Sequence, residues 1–565
     1  MNSKIKIQII LVALISLLFS ACEEMLTPDP QNQEDRDRII NDPTWAEGLL
    51  MEGYNSLPSD YNFTSVATDD AVTNDLKSNY LRMASGELSA LYNPMNKWNT
   101  YHTIFNLNYF LSLVDEVKWS WTSDDANLFF NHRFKGEAYG LRAYYFFELL
   151  KNHGGIAENG DLLGVPIVTN VLTINDNWAL PRNSYQQCVD QIYSDIENAL
   201  DYLPEEWKEY PNPDSLRVYG PQNKNRINAS ILKAFRSRVA TFVSSPTFNG
   251  GQYDQEKCEQ AAEFTGTLLK EAGGLQGIAT EGHLFYDDND DIDNPEIIWR
   301  TDWQNNNGRE KDNFPPSLFG KGEINPSQNL VDVFPMQNGY PITDSKSGYD
   351  PNNPFVNRDP RLSDYIVYNG NTIGNDSIFS DINSELDGLN RTQQSTRTGY
   401  YMKKLLRSDV NLNPSKETTQ RHFYTHIRYT ELYLNYAEAA NEAWGPDADQ
   451  NGYGFTTRDI IAALRQRGGI DADDSYLSSI TSKEQMRELI RNERRIELCF
   501  EGFRYWDMRR LELKLDDPAR GVRIDLPDYA IFNVEDRMYE PFMIYGPIPQ
   551  DEILKYDGLL QNKSY

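Results

Sequence analysis

Trp303 stands in the segment DWQNNNGREKDNF, beside Gln304, Asn305, Asn306, Asn307 and Arg309. An indole face stacks on the C–H face of a sugar ring, while amides and a guanidinium bond its hydroxyls. That mixture of residue types points to glycan binding, with Phe314, Phe319 and Tyr349 as weaker aromatic candidates. Two acidic stretches raise a different chemistry. Asp447, Asp449, Asn451 and Gly452 match the opening of a calcium loop, although Arg458 stands where such a loop carries its bidentate glutamate. The run from Asp287 to Asn294 includes Asp288 and Asp290 and reads as a solvated loop or a second Ca2+ site. No cofactor is expected beyond such a structural calcium. Glu497 and Glu501 share one helical face, but the surrounding arginines would lower their pKa values, whereas a general acid needs its pKa raised. A structural ion-pair network is therefore expected there. His422 and His426 are four apart without a zinc-protease context, and no nucleophile elbow, Walker loop or dinucleotide fingerprint is present.

The elements that would position these groups are mostly helical. Phe134, Ala138, Leu141, Tyr145 and Leu149 share a helical face that ends near Gly154 and Gly155, followed by the extended run Gly164–Val168. A helix opening at Asn183 or Ser184 runs to Pro204, and another spans Asn228 to Ser245. Later helices are predicted over Thr425–Trp444, Thr457–Arg467 and Ser482–Phe500, with Gly502 as a stop before Arg504–Arg510. Trp98, Tyr101 and Trp299 read as core. Between about 273 and 422 the period fades into Asn, Asp, Gly and Pro, as functional surface does. Helix pairs with Tyr, Ala and Gly at close-packing positions look like tetratricopeptide units without a clean repeat period.

Composition narrows the function. The net charge of -30 repels nucleic acid and anionic membrane and suits neutral soluble ligands. Aromatics reach 12%, with 34 tyrosines, enough ring surface for both packing and sugar stacking. Residues 1–21 read as an export signal: Lys4 and Lys6, an apolar run of about 13 residues, too short for a bilayer span of roughly 20, then Ser20 and Ala21. Cys22 directly after them marks a bacterial lipoprotein signal, although Phe19 stands where leucine is commoner. Lipidation of Cys22 with two or more chains gives stable anchoring. Residues 22–43 then form the lipidated N-terminus and a polar tether. Cys188, Cys258 and Cys499 remain as buried free thiols, since an odd number at unrelated spacings is no disulfide framework.

Ordered segments carry a family resemblance: EAYGLRAYYFFELLKNHGG (137–155), GVPIV (164–168), NRINASILKAFRSRVATFVSSP (225–246), NPEIIW (294–299), PSQNLVDVFPMQNGYPI (326–342), NRDPRL (357–362), GYYMKK (399–404), IRYTELYLNYAEAANEA (427–443), IRNERRIELCFEGFRYWDMRR (490–510), PIPQDEI (547–553) and LLQNKSY (559–565). Behind the lipidation site, they make the chain resemble the SusD/RagB family of outer-membrane nutrient-binding lipoproteins over nearly all its length. The resemblance implies a predominantly all-α fold: a right-handed superhelix of tetratricopeptide-like helix pairs carrying an irregular ligand-binding half. Its expected parts are a helical region over 44–272 and a C-terminal region over 273–565, together one compact unit. The latter divides into a loop-rich 273–422, a helical 423–512 and a closing 513–565. The implied function is non-catalytic capture of oligosaccharide on the cell exterior, handed to a SusC-like TonB-dependent transporter in the outer membrane. Glu23 and Glu24 then read as the signal for surface export. Relatives often present an early loop to the ligand, which makes Asp69, Asp70, Asn74, Asn79 and Tyr80 candidates, and some bind calcium near the 287–294 run. The family's binding residues vary too much for any to be transferred by motif. The alternatives are a RagB-type oligopeptide binder and a surface glycoside hydrolase.

Overall fold

The computed structural model describes residues 36–287 and 294–565. The export signal, Cys22, Glu23, Glu24, Asp288 and Asp290 lie outside the described residues. The chain is 43% helix and 10% strand, so the expected predominantly α class holds, and the strands form only two-stranded ribbons among the described residues. The main helices are α1 (Arg36–Asn41), α2 (Pro43–Asn55), α3 (Thr100–Leu113), α4 (Asp124–His153), α5 (Tyr185–Leu200), α6 (Ala229–Val243) and α7 (Gln255–Glu271). After the irregular middle come α8 (Tyr429–Trp444), α9 (Thr457–Arg467), α10 (Lys483–Glu497) and α11 (Arg504–Arg510). The polar tether expected over 22–43 is shorter than that, because Arg36–Asn41 is helical and Ile39 is buried in the core.

Each main helix from α2 to α8 packs on its chain neighbour, including α7 and α8, which pair directly although the long irregular middle separates them in sequence. This neighbour-on-neighbour stacking is solenoid logic, in which no helix buries its apolar face alone. Helix α4 lies between several neighbours and is buried on most sides. Gly136 and Gly140 permit that crowding: a Cβ at Gly136 would stand 2.7 Å from Leu203 Cγ, and one at Gly140 3.0 Å from a Leu232 methyl. Ser184 caps α5 through a reciprocal box with Gln187, which settles where that helix begins. Asn228 caps α6 by accepting from Ile231 N at 2.9 Å. Trp299 is buried and stacks on His426, with ring centroids 4.2 Å apart, while Trp98 and Tyr101 are half-buried against the same core. Cys188, Cys258 and Cys499 are free and buried.

The strands that matter are β1 (Ala71–Thr73), β2 (Ile297–Arg300), β3 (Gln304–Asn306), β4 (Ile324–Pro326), β5 (Gln420–His422), β6 (Thr425–Arg428), β7 (Ala519–Asp525) and β8 (Asp528–Glu535). They pair antiparallel as β1 with β4, β2 with β6, β3 with β5 and β7 with β8. A second core, including Phe314, Phe334, Tyr365, Tyr400, Tyr401 and Phe500, fills the loop-rich half. Buried backbone must be bonded somewhere, and here buried arginines substitute for regular ladders. Arg358 donates to the carbonyls of Val331 at 2.6 Å and Phe334 at 2.7 Å.

The predicted network around Glu497 exists and joins the two halves. Arg361 is fully buried between Asp359, Glu493 and Glu497. Arg467 reaches Glu497 at 2.8 Å, and Arg428 and Lys404 hold Glu501 at 2.9 and 2.6 Å. Burial alone would raise the Glu497 carboxyl, but Arg467, Arg361 and Arg428 override it and hold it well below the carboxylate range. Helix α10 ends at Glu497, earlier than Phe500, and the chain turns through left-handed Phe500 and Gly502 into α11.

Candidate functional site

The structure assigns most residues of the two candidate loops to support. Strand β1 pairs with β4, and the Asn74 amide donates to the carbonyls of Lys321 and Gly322 at 2.8 Å each. Asn74 is thus a buried splice between loops rather than a sugar contact. Asp69 and Asp70 are also buried. Asp69 accepts from Arg495 at 2.8 Å and from Arg504 at 2.9 Å, and Asp70 accepts from Arg495 at 2.7 Å. Burial opposes ionisation of Asp69, yet the two guanidiniums hold it ionised far below its usual range. Both aspartates extend the α10 network, and a ligand cannot reach them.

The Trp303 loop divides in the same way. Asn307 donates to Glu417 at 2.9 Å and to the Thr418 carbonyl at 2.8 Å. Arg309 bonds Asp60 at 2.9 Å and the Phe423 carbonyl at 2.7 Å. These two side chains are buried struts, contrary to the sequence expectation. Asn306 accepts from Gly308 N at 3.2 Å, bracing its own turn. Asn305 is exposed, and Trp303 is 40% exposed. The Arg421 guanidinium lies 4.4 Å from the indole centroid, so one face is occupied. Trp303 is a single platform on the β3–β5 ribbon, outside any lined cavity described below.

Asn79 and Tyr80 fare differently. Ser78 caps the single turn Asn79–Arg82, which places Asn79 in a pocket of about 310 Å³ between residues 79–96 and 547–551. Asn93, Asn96, Gln550 and Asp551 complete a polar wall, and Leu91 and Tyr92 an apolar one. The Tyr92 hydroxyl donates to Asn79 Oδ1 at 3.0 Å. The Arg82 guanidinium sits 4.2 Å from the Tyr92 centroid and is itself fixed by Glu87 at 3.0 Å. The backbone of Gln550 donates to Ala90 O at 3.0 Å, tying the two walls together. Leu91 projects from the rim, 82% exposed. Tyr80 is half-buried between two apolar clusters, and burial pushes its hydroxyl up to about 12. It supports the pocket from behind. Sequence reasoning missed Tyr92 and the 547–551 wall, because the partner segments are separated by most of the chain.

The two glutamates predicted to share a helical face are set for ion pairing. Glu497 and Glu501 are each wrapped by cations, the opposite of what a glycosidase acid requires. Asp364, raised by burial, faces Asp287 and Lys403 in a space of about 230 Å³, below the usual range of ligand sites. The calcium expectation at Asp447, Asp449 and Asn451 meets a competing set of partners. Arg458 bonds Asp447 through both carboxylate oxygens, Asp449 accepts from Tyr453 N at 2.7 Å and Gly454 N at 2.8 Å, and Asn451 donates to the Tyr453 hydroxyl. Among the described residues no group of three or more His, Cys, Asp or Glu is placed to hold a metal. Nor is any described helix long and apolar enough to cross a membrane.

Comparison with known proteins extends the geometry. Residues 291–565 match a model described as the SusD family, and residues 29–220 match one described as starch-binding associating with outer membrane. SusD-like protein P38 of Formosa agariphila is 22% identical over 546 residues, covering 92% of this chain and 94% of that protein. A SusD-like protein of Bacteroides fragilis superposes with a TM-score of 0.75 at 24% identity, covering 95% of this chain and all of that one. A SusD-like carbohydrate binding protein from the same species gives a TM-score of 0.68 at 21% identity, with 92% and 99% covered. A laminarin binding SusD-like protein gives 0.57 at 18% identity, with 93% and 100% covered.

Proposed function

The chain belongs to the SusD/RagB family, and from that premise we propose that it captures oligosaccharides at the cell surface without catalysis and passes them to a SusC-like TonB-dependent transporter. In this reading Cys22 carries the lipid anchor and Glu23 and Glu24 direct the protein to the outer face of the outer membrane. The family is one of carbohydrate-binding proteins associated with that membrane. What supports the reading in this chain is the pocket at Asn79 and Tyr92. It joins a ring braced by Arg82 to four amides and one carboxylate, the groups a polyhydroxylated ring needs around it. Its size of about 310 Å³ suits one or two sugar units. The strongly negative surface favours neutral glycans over polyanionic ones.

A glycan array probed with the purified protein tests this. Binding of a neutral oligosaccharide is expected, and Tyr92→Ala should weaken it about tenfold, the loss of one stacking contact worth ~1.4 kcal/mol. Failure of every glycan together with binding of oligopeptides would overturn the reading in favour of a peptide-binding lid. Release of reducing sugar by the pure protein would overturn its non-catalytic part.

A further inference from the structure

A second and larger cavity has a volume of about 920 Å³. Its walls come from the end of α2, residues 98–105 at the start of α3, the loop 166–180 and residues 552–559, and its aromatic lining includes Trp98, Tyr101, Phe105, Trp178 and Tyr556. The polar tips of three of these rings are already satisfied. Tyr101 donates to Pro166 O at 2.7 Å, Tyr556 to Leu180 O, and the Trp178 indole N–H to Thr173 O at 2.9 Å. What they offer the cavity is ring surface. Trp178 is 57% exposed, yet it is fixed: Asp176 accepts from the Thr173 amide and hydroxyl at 2.7 Å each, closing the turn that holds the indole. An exposed aromatic held rigid has no ordering cost to meet when a ligand stacks on it. Asn99 and Glu52 add an amide and a carboxylate to the same walls.

The two cavities are lined by neighbouring stretches of the same two chain segments. Asp551 lines the smaller and Glu552, the next residue, lines the larger; Asn96 lines the first and Trp98 the second. Adjacent Cα atoms are about 3.8 Å apart, so the two linings follow one another along both segments. We propose that they are one track, and that the ligand is a neutral oligosaccharide long enough to occupy both, with Trp178 as its distal stacking platform. This rests on the glycan reading above and adds to it a chain-length requirement and a second subsite.

Titration calorimetry of the full chain against β-1,3-gluco-, malto- and xylo-oligosaccharide ladders, each from di- to octasaccharide, tests it. For the ladder that binds, affinity should rise about tenfold or more between the disaccharide and the hexasaccharide. Trp178→Ala should lower hexasaccharide affinity about tenfold more than disaccharide affinity, and Trp178→Phe, which keeps a ring, should retain most of the gain. A flat dependence on chain length, or a Trp178→Ala variant that matches the parent on long chains, would overturn the track while leaving the glycan reading intact. Absence of binding to any ladder, with oligopeptide binding instead, would overturn both.

Discussion

Asp69→Ala separates the two roles that Asp69 can have, sugar contact or structural anchor. The carboxylate is buried and accepts from Arg495 at 2.8 Å and from Arg504 at 2.9 and 3.0 Å, and those guanidiniums are themselves largely covered. Removing one partner of a buried ion pair leaves an uncompensated charge, which costs ~3–5 kcal/mol. Asp70 remains beside Arg495, so the lower end applies, about 3 kcal/mol. With an unfolding entropy of ~2 cal/mol/K per residue over roughly five hundred ordered residues, each degree corresponds to ~1 kcal/mol. The melting temperature should therefore fall by about 3 °C. Differential scanning fluorimetry reads that shift, and titration with the best glycan from the array, well below the transition, should show parental affinity. A variant with unchanged melting temperature and abolished glycan binding would refute the assignment of Asp69 to the arginine network.

Two further outcomes follow from the packing and the buried charges. Glu497, Glu501 and Asp69 all have carboxyl groups held below their unfolded values, because nearby cations outweigh the effect of burial. Such groups contribute stability that is fully present above the unfolded pKa of about 4 and is lost as pH falls through the folded values. Burial also holds His153, His283 and His426 below their ordinary value, so the melting temperature should begin to fall as pH drops below about 6.5 and fall further below about 4, where the carboxylates protonate; a melting temperature level from pH 7 to 5 would contradict it. Gly136→Ala should destabilise by ~1–2 kcal/mol despite the better helix propensity of alanine, because its Cβ meets Leu203 Cγ at 2.7 Å and Ala199 O at 3.2 Å. Thermal denaturation checks this, and a stabilised variant would show that α4 and the segment after α5 can separate at no cost.

The helical parts were legible because their physics is local. Caps, apolar spacing and a following Gly or Pro mark α5, α6 and the end of α4 within a few residues, while the start of α4 at Asp124 lies ten residues before the apolar face that was read. The ion pairing of Glu497 was legible in kind only, because its partners Arg361, Arg428 and Arg467 come from other segments while the adjacent Arg494 and Arg495 pair elsewhere. The loop-rich half was not, because its order depends on partners far away in the chain: Arg358 on carbonyls near Val331, Asn74 on Lys321, Asp69 on Arg495. Polar types in a loop look alike whether they face a ligand or hold up the loop, so Asn307 and Arg309 read as binding groups and prove to be struts. Trp178 drew no attention because it is alone in a polar stretch. The usable signal was the Thr173–Asp176 spacing of a side-chain-closed turn.

The long-range pairing has a consequence for the order of assembly. Asp69 waits for Arg495 and Arg504, Arg361 waits for Glu493, and the His153 ring, at the end of α4, is bonded to Pro547 O while Asn562 donates to its carbonyl. A chain emerging from its N-terminus can stack α2 to α7 as they appear, because those contacts are local. The loop-rich half cannot close until nearly the last residue is available, and contacts of such large sequence separation form slowly. Until α8 to α10 appear, the molecule is therefore a partial helical stack carrying an open, charge-bearing segment. That interval, rather than any weakness of the completed structure, is where a chaperone would hold it, a protease would cut it and a C-terminal truncation would leave it stranded.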